Sequence, residues 1–304
     1  MSQIVYIAGY GRSGSSILDA ILGNHKKVFG GGELCNIFNE EYHQEGVFCG
    51  CGQKIHENCP FWQDVFGDLT AEIPNFSLKK AFEVTRRVES SFLFRKNHFK
   101  LSAKEKAQYG NLWDILYKSI VSRSNCDVII DSSKTAFLST HRIQAINTLT
   151  TQNIKIIHLT RHPSAVIGAF VKGGNLQNTL CPPKRAAALR ATIGWSYANW
   201  VADYRIKKER VDSIQLHYED LIQEPIKVFL QLEDFLQLSL SSIIETIKND
   251  HPFEPGHGIA GNRARRGNQI KLKTGSDIKP TLSKPARMIL WLTWPLARKY
   301  GYVI

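Results

Sequence analysis

A glycine- and serine-rich loop near the N-terminus carries residues suited to holding an anion. Gly9-Tyr-Gly-Arg-Ser-Gly-Ser-Ser16 follows an apolar run at residues 4–8 and precedes a segment with helical periodicity. Glycines permit positive φ and close backbone approach, and the N–H groups at a helix start face a bound anion. The segment therefore predicts a strand, a phosphate-binding loop and a helix. The backbone N–H groups of this loop and its one cation, Arg12, are the predicted anion-binding groups.

The lysine found in triphosphate-binding loops is missing from this one. Gly9 and Gly14 have the G-x-x-x-x-G spacing of such loops, but Ser15 stands at the lysine position, and the loop's cation is Arg12. The loop can hold a phosphate-like group without the side chain that reaches the β- and γ-phosphates. A P-loop kinase is therefore the weaker enzyme hypothesis.

Three further motifs are candidates for ligand binding. Two of them follow predicted strands, and the third places arginines between glycines. Thr160-Arg-His-Pro-Ser-Ala-Val166 follows a β-branched run, and Pro163 suits the first turn of a helix. His217-Tyr-Glu-Asp-Leu221 follows another such run, and Gly261-Asn-Arg-Ala-Arg-Arg-Gly267 places arginines between glycines. Arginines flanked by glycine suit bidentate contacts with phosphate.

Taken together, these motifs resemble the sulfotransferases that use 3′-phosphoadenosine 5′-phosphosulfate (PAPS). The arginine in the first loop is typical of their carbohydrate and tyrosylprotein branches. The resemblance implies transfer of a sulfuryl group from PAPS to a hydroxyl or amine of a small-molecule or carbohydrate acceptor. It also implies that Arg12 contacts the bridging oxygen and the sulfuryl group. The other donor contacts that it implies are the loop residues Gly11, Ser13, Gly14, Ser15 and Ser16, together with Arg161, Tyr218, Arg265, Arg266 and Gly267.

The chain departs from the family pattern at two positions of the second motif. His162 replaces the usual aspartate, and Ala169 replaces a serine eight residues beyond Arg161. Because alanine has no hydroxyl, the hydrogen bond that this serine makes to the 3′-phosphate in the family has no assigned donor in this chain.

The resemblance extends to the catalytic residues. Gly30-Gly-Gly-Glu-Leu34 resembles the segment that carries the base in the tyrosylprotein-type branch, which implies that Glu33 takes the acceptor proton. The cytosolic branch uses a histidine, so His141 is the alternative by residue type. Lys134 resembles the lysine that neutralises the sulfuryl oxygens. Fixed cations can serve where phosphoryl transfer uses a metal, and we expect no catalytic metal.

A cysteine cluster, Cys49-Gly-Cys51 with Cys59 eight residues later, leaves three interpretations open. Zinc binding would need a fourth ligand, Cys35 or His56, and the spacing differs from the paired C-x₂₋₄-C of common zinc sites. A disulfide is the second interpretation, and reduced packing thiols are the third. Similar segments recur in bacterial sulfotransferases of the type resembled, where they look like part of the acceptor-side cover. We expect reduced thiols.

The elements that must position these residues alternate along the chain. Short β-branched runs at residues 4–8, 128–130, 154–159 and 213–217 are interleaved with helical periodicity. This pattern predicts an α/β fold, a P-loop-type parallel sheet flanked by helices, with ligands at the carboxyl ends of the strands. We expect a single domain over residues 1–304, with a helical insertion at about 78–124 and a basic segment at about 255–285 that closes over the donor.

Composition narrows the function classes. Of 304 residues, 43% are hydrophobic, which excludes disorder as the main state. The net charge is +12, and residues 255–304 contain ten Lys or Arg and one acid, which indicates a polyanionic partner. A nucleic-acid-binding module is the alternative class, disfavoured because no aromatic residue interrupts residues 263–284. Without a signal-like or bilayer-length apolar run, we expect a cytoplasmic protein without membrane insertion.

Overall fold

The computed structural model describes residues 2–40, 48–90, 101–135, 139–172, 184–259, 261, 269–275, 282 and 284–303. Its centre is a parallel sheet of five strands in the order β2-β3-β1-β4-β5. The strands are β1 (Gln3–Ala8), β2 (Val28–Gly30), β3 (Val128–Asp131), β4 (Asn153–Thr160) and β5 (Asp212–His217). The predicted α/β fold is confirmed, and the four β-branched runs are β1, β3, β4 and β5.

Helices cover both faces of the sheet. They are α1 (Ser15–Leu22), α2 (Pro60–Glu72), α3 (Leu78–Glu89), α4 (Ala103–Ser124), α5 (Arg142–Leu149), α6 (Pro163–Val171), α7 (Lys184–Glu209), α8 (Tyr218–Gln223), α9 (Pro225–Leu236), α10 (Ser241–Lys248), α11 (Lys284–Leu290) and α12 (Trp294–Lys299). Single 3₁₀ turns lie at Leu34–Asn36 and Trp291–Thr293. In the part of the chain that the structure describes, no helix is long and apolar enough to cross a bilayer.

The two faces have separate cores because successive residues of a strand point to opposite sides. Ile4 and Tyr6 of β1 pack in one core with α2, α3, α4 and α5. Val5 and Ile7 pack in the other with α1, α8, α9 and α10. Helices α3 and α4 both fall in the region expected to form a helical insertion, and residues 91–100 lie outside the described residues.

Strand order brings four loops to one end of the sheet. β1 pairs with β4 on one side, with Ala8 opposite His158, and with β3 on the other, with Tyr6 opposite Asp131. β2 in turn pairs with β3, with Gly30 opposite Ile130. Because all the strands are parallel, the loops that follow β1, β2, β3 and β4 leave from the same edge. This edge is where the open sheets of α/β proteins bind ligands.

A buried charge network anchors the end of β3. The Arg142 guanidinium is fully buried and lies 2.6 Å from Asp131 Oδ2, and it also pairs with Glu89 of α3. Its carbon lies 4.0 Å from the ring centroid of Trp113. Asp131 also accepts a hydrogen bond of 3.0 Å from the backbone N–H of Ser133. Removing one partner would leave an uncompensated buried charge, so the network holds the loop after β3 against the helical layer.

A second charged group attaches the C-terminal helix to α7. Asp203 of α7 lies 3.4 Å from His158 Nδ1, accepts a 2.8 Å hydrogen bond from the Tyr300 hydroxyl, and pairs with Lys299. Burial by itself raises the pKa of Asp203, but the hydrogen bonds from His158, Lys299 and Tyr300 outweigh it and hold the pKa well below its usual range. The ionised carboxylate is therefore the form that the folded state favours.

Candidate active site

The loop between β1 and α1 has the backbone of an anion-binding loop. Gly14, at the N-cap of α1, has a φ of 88°, and Arg12 has a φ of 70°. The hydroxyl oxygens of Ser13 and Ser15 are buried and have no hydrogen-bond partner among the described residues. Buried hydroxyls in native proteins are nearly always paired. Two unpaired hydroxyls beside a helix N-terminus therefore fit a loop built around a bound phosphate- or sulfate-like group.

Arg161 and Tyr218 join this loop from β4 and β5. The Arg161 Nη1 donates a 2.9 Å hydrogen bond to the backbone oxygen of Arg12. Its guanidinium carbon lies 4.2 Å from the ring centroid of Tyr218. The ring packs so closely on Gly14 that a Cβ there would lie 2.7 Å from Tyr218 Cε2. Three segments far apart in sequence thus form one compact cationic unit.

Glu33 and Lys134 form an ion pair from the loops after β2 and β3. Their side chains are only 19% and 14% exposed. The second carboxylate oxygen of Glu33 accepts a 3.3 Å hydrogen bond from Asn36 Nδ2. The backbone oxygen of Lys134 accepts hydrogen bonds from the hydroxyls of Tyr6 and Ser139, the latter at 2.7 Å. The Glu33 carboxylate and the backbone of Lys134 are therefore held in place by the surrounding fold.

These groups line a single pocket of about 380 Å³. That volume is within the range of small-molecule sites. A larger cavity of about 560 Å³, beside Asp114 and Gln152, contains none of the predicted site residues. Of the predicted residues, the 380 Å³ pocket is lined by Gly11, Arg12, Gly14, Ser15, Ser16, Glu33, Lys134, Arg161 and Tyr218.

The remaining predicted residues have other positions. Ser13 is buried in the loop and does not line the pocket. Gly261, which is not one of the predicted site residues, also lines the pocket and belongs to the basic segment. Arg265, Arg266 and Gly267 lie outside the described residues.

A family model described as "Sulfotransferase family" matches residues 4–242. This chain belongs to the sulfotransferase family. The match includes β1 from its second residue, β2 to β5, and every described residue that lines the pocket except Gly261. No curated protein shows significant sequence similarity to the chain.

Three solved sulfotransferase structures have similar folds. The sulfotransferase domain of the Synechococcus PCC 7002 olefin synthase has a TM-score of 0.58 at 21% identity, covering 99% of this chain and 95% of that one. The sulfotransferase domain from the curacin biosynthetic pathway has a TM-score of 0.51 at 18% identity, covering 100% and 99%. The sulfotransferase STF9 from Mycobacterium avium has a TM-score of 0.52 at 9% identity, covering 100% and 78%. At these identities the likeness is one of fold.

Phe170 is a residue of the sulfotransferase pocket that the sequence analysis missed. Its ring lies 5.7 Å from the guanidinium carbon of Arg12 and packs on Tyr10, with ring centroids 5.4 Å apart. Partial burial lowers the pKa of the Arg12 guanidinium from its usual value, although an arginine stays charged in proteins. Phe170 directly follows Ala169, so placing the whole of α6 at the pocket would have found it.

His141, the alternative base, lies outside the pocket. It is the N-cap of α5, and its backbone N–H donates a 2.8 Å hydrogen bond to the oxygen of Glu89. Its ring pairs with the guanidinium of Arg205, and it lines a different cavity beside Val88. His141 therefore has a structural contact with Arg205 and does not line the pocket that contains Arg12.

The cysteine cluster has a different fourth member from the one considered from the sequence. Cys49, Cys51 and Cys59 gather around His257, and not around Cys35 or His56. Cys35 instead donates its backbone N–H to Ser133 Oγ at 2.9 Å, and burial raises the pKa of its thiol to about 11. The fourth donor was missed because it is 198 residues from Cys59 in the sequence.

Proposed function

We propose that this sulfotransferase moves the sulfuryl group of PAPS to a hydroxyl or amine of a small-molecule or carbohydrate acceptor and releases adenosine 3′,5′-bisphosphate. One observation carries the proposal: the lysine-free loop and Arg161 share a pocket with the Glu33–Lys134 pair. A phosphate loop alone would suit many nucleotides. A loop joined to a carboxylate and a lysine also supplies a base and a fixed cation for transfer.

The donor would lie across the loop and Arg161. Backbone N–H groups at the start of α1, with the hydroxyls of Ser15 and Ser16, suit the 5′-phosphosulfate. Arg161 is a planar cation whose fork of donors suits the 3′-phosphate, and Tyr218 supports its guanidinium from one side. We also assign contacts with the 3′-phosphate to the basic segment after Gly261, through Arg265, Arg266 and Gly267.

In the transfer step the acceptor oxygen attacks sulfur and the bond between sulfur and the bridging oxygen breaks. The electron pair of that bond stays on the bridging oxygen, where Arg12 faces the growing negative charge. Glu33 accepts the proton of the acceptor hydroxyl. The products are the sulfated acceptor and adenosine 3′,5′-bisphosphate, and the proton on Glu33 later passes to water.

The Glu33–Lys134 ion pair would make donor binding precede release of the base. Lys134 engages one carboxylate oxygen of Glu33. The sulfuryl oxygens of bound PAPS offer the ammonium group a second anion within the same pocket. Movement of Lys134 toward them would free the carboxylate at the moment when the acceptor needs a base. The pair would thus couple arrival of the donor to release of the base.

The experiment compares two nucleotides as ligands of the full chain. Adenosine 3′,5′-bisphosphate without metal should raise the melting temperature, whereas ATP with magnesium should do so far less, because ATP lacks a 3′-phosphate. Equal stabilisation by ATP and magnesium would favour the P-loop kinase. Incubation with labelled PAPS and a metabolite extract, followed by mass spectrometry for a gain of SO₃, then identifies the acceptor class. A chain that binds adenosine 3′,5′-bisphosphate but labels nothing in any extract would argue against transfer to a small molecule.

A further inference from the structure

Three cysteines and one histidine from distant parts of the chain meet at one point. Cys49 and Cys51 belong to a short turn, Cys59 precedes α2, and His257 follows α10. Their three sulfur atoms and one ring nitrogen all lie within 4.8 Å of one another. Cys49 and Cys59 are completely buried, and Cys51 and His257 are half-buried. The donor atoms therefore form a compact group under the surface.

Three of the six separations among these atoms match the edges of a zinc tetrahedron, and all six are at most 4.8 Å. Zinc–sulfur bonds of about 2.3 Å and a zinc–nitrogen bond of about 2.0–2.1 Å place two sulfurs about 3.8 Å apart, and sulfur and nitrogen about 3.6 Å apart. Cys51 and Cys59 have their sulfurs 3.7 Å apart. His257 Nδ1 lies 3.4 Å from the Cys59 sulfur and 3.6 Å from the Cys49 sulfur. A disulfide would need sulfurs about 2.05 Å apart.

The surrounding structure holds the turn of the first two cysteines and the ring of His257. The backbone oxygen of Cys49 accepts a 2.9 Å hydrogen bond from the backbone N–H of Gly52, which closes the turn over residues 49–52, and Gly52 has a φ of 85°. His257 stacks on Phe61, with ring centroids 5.0 Å apart, and its backbone oxygen accepts a 2.8 Å hydrogen bond from Trp62 Nε1. Thiols buried only for packing need neither the histidine nor its fixed ring.

Cys59 has the environment of a metal-binding thiolate. It is the N-cap of α2, where the helix dipole favours negative charge. The thiolate is the form that binds metals.

We propose that Cys49, Cys51, Cys59 and His257 bind one zinc ion in a closed, structural Cys₃His site. Thiolates and imidazole are soft donors that suit zinc, and four protein ligands leave no position for a reactive water. None of the four residues lines the pocket that contains Arg12. The thiol protons displaced by the metal pass to solvent. The site is thus separate from the sulfuryl-transfer pocket.

The zinc ion would brace the loop that carries Glu33. Gly50 donates a 2.9 Å hydrogen bond from its backbone N–H to Gly258, next to the histidine ligand. Ile259 then bridges both Cys49 and Gly32. Its backbone oxygen accepts a 2.8 Å hydrogen bond from the Glu33 N–H, and its own N–H donates to Gly31 at 2.9 Å. A metal at His257 would therefore fix Ile259, and through it the base assigned under the proposed function.

The test measures metal directly on the full chain. Protein purified under reducing conditions, supplied with zinc and dialysed, should retain about one zinc per chain by elemental analysis. Cobalt substitution should give thiolate-to-metal charge transfer and the visible bands of a tetrahedral site. Cys59→Ser and His257→Ala should each reduce bound zinc to less than about a tenth of the wild-type content. Cys126→Ser is the matched control, because Cys126 is a buried thiol outside the cluster.

Wild-type protein that retains no zinc and shows no cobalt–thiolate absorption would overturn the proposal. A disulfide mapped between two of the three cysteines in protein kept under reducing conditions would do the same. If the variants fail to fold, X-ray absorption of the wild-type zinc protein decides, since it must show three sulfur and one nitrogen neighbours. These readouts do not involve PAPS. A zinc failure therefore leaves the donor-binding test intact, and a failed donor test leaves the zinc site standing.

Discussion

Two alanine substitutions in one loop should have very different effects. Gly14 has a left-handed φ of 88°, and a Cβ there would lie 2.7 Å from Tyr218 Cε2. Gly11 has no left-handed φ, and among the described residues a Cβ there would meet only Phe170 Cζ, at 3.6 Å. Both substitutions add the same methyl group to the same pocket. Their difference therefore measures how tightly the loop is built around Tyr218.

The structure sets the size of that difference. A left-handed conformation costs an alanine about 1–2 kcal/mol. Carbon atoms pack at about 3.5–4.0 Å, so the Tyr218 ring must move away by about 1 Å, and such overpacking costs about 1–3 kcal/mol. Gly14→Ala should therefore reduce the free energy of unfolding by about 2–5 kcal/mol. Gly11→Ala should change it by less than about 1 kcal/mol, because it meets neither penalty.

Urea unfolding at equilibrium gives both free energies, and calorimetry gives the affinity for adenosine 3′,5′-bisphosphate. Movement of the ring also removes the surface on which Arg161 lies at 4.2 Å. We expect Gly14→Ala to weaken binding by about tenfold or more, because that is roughly the contribution of one cation stacked on an aromatic ring. Equal stability of the two variants would refute the packing argument. Full affinity in a destabilised Gly14→Ala would refute the role of Arg161 in donor binding.

Three further predictions concern single side chains. Glu33→Gln keeps the shape of the side chain but removes the base. Steady-state assays with PAPS should therefore show kcat lower by about 10²–10⁴ with donor affinity within a few-fold, whereas His141→Gln should stay near wild type. The reverse pattern would exchange the assignments of these two residues. Arg12→Ala should lower kcat by about 10² or more and weaken donor binding in calorimetry, and unchanged values of both would remove Arg12 from the site. The pKa of Asp203 lies below its unfolded value of about 3.9, so its contribution to stability is present above about pH 4 and is lost as the pH falls further. Asp203→Asn should lower the free energy of unfolding, measured in urea at pH 7, by about 1–3 kcal/mol, and this loss relative to wild type should shrink below pH 4. Asp234→Asn is the exposed control and should show no such pH dependence. A loss for Asp203→Asn that is the same at every pH would contradict the prediction.

Contiguous stretches of sequence contained the information for the strands and for the motifs that follow them. The apolar runs at residues 4–8 and 154–159 correspond to β1 and β4, and the glycine loop and Arg161 follow them directly. Such features depend on hydrophobic runs, glycine conformations and helix starts, which are properties of neighbouring residues. β2 has only three residues, too few for periodicity to fix its bounds.

The composition of the pocket depended on which strands become neighbours. Glu33 meets Lys134 because β2 pairs with β3, which brings together residues 101 apart in sequence. Residue type alone left His141 as an alternative to Glu33. Only the position of α5, which turns His141 toward Arg205, separates the two candidates.

The cysteine cluster shows most plainly what the local sequence predicts and what only the tertiary structure decides. From the sequence, Cys49, Cys51 and Cys59 were three thiols with an unusual spacing and no convincing fourth ligand. His257 supplies it because the chain returns past the helices of the second face and Ile259 bridges the loop at Gly32. Local propensities determine how a segment folds and which residues end a strand. Contacts across about 200 residues depend instead on sheet order and core packing, which no local pattern encodes.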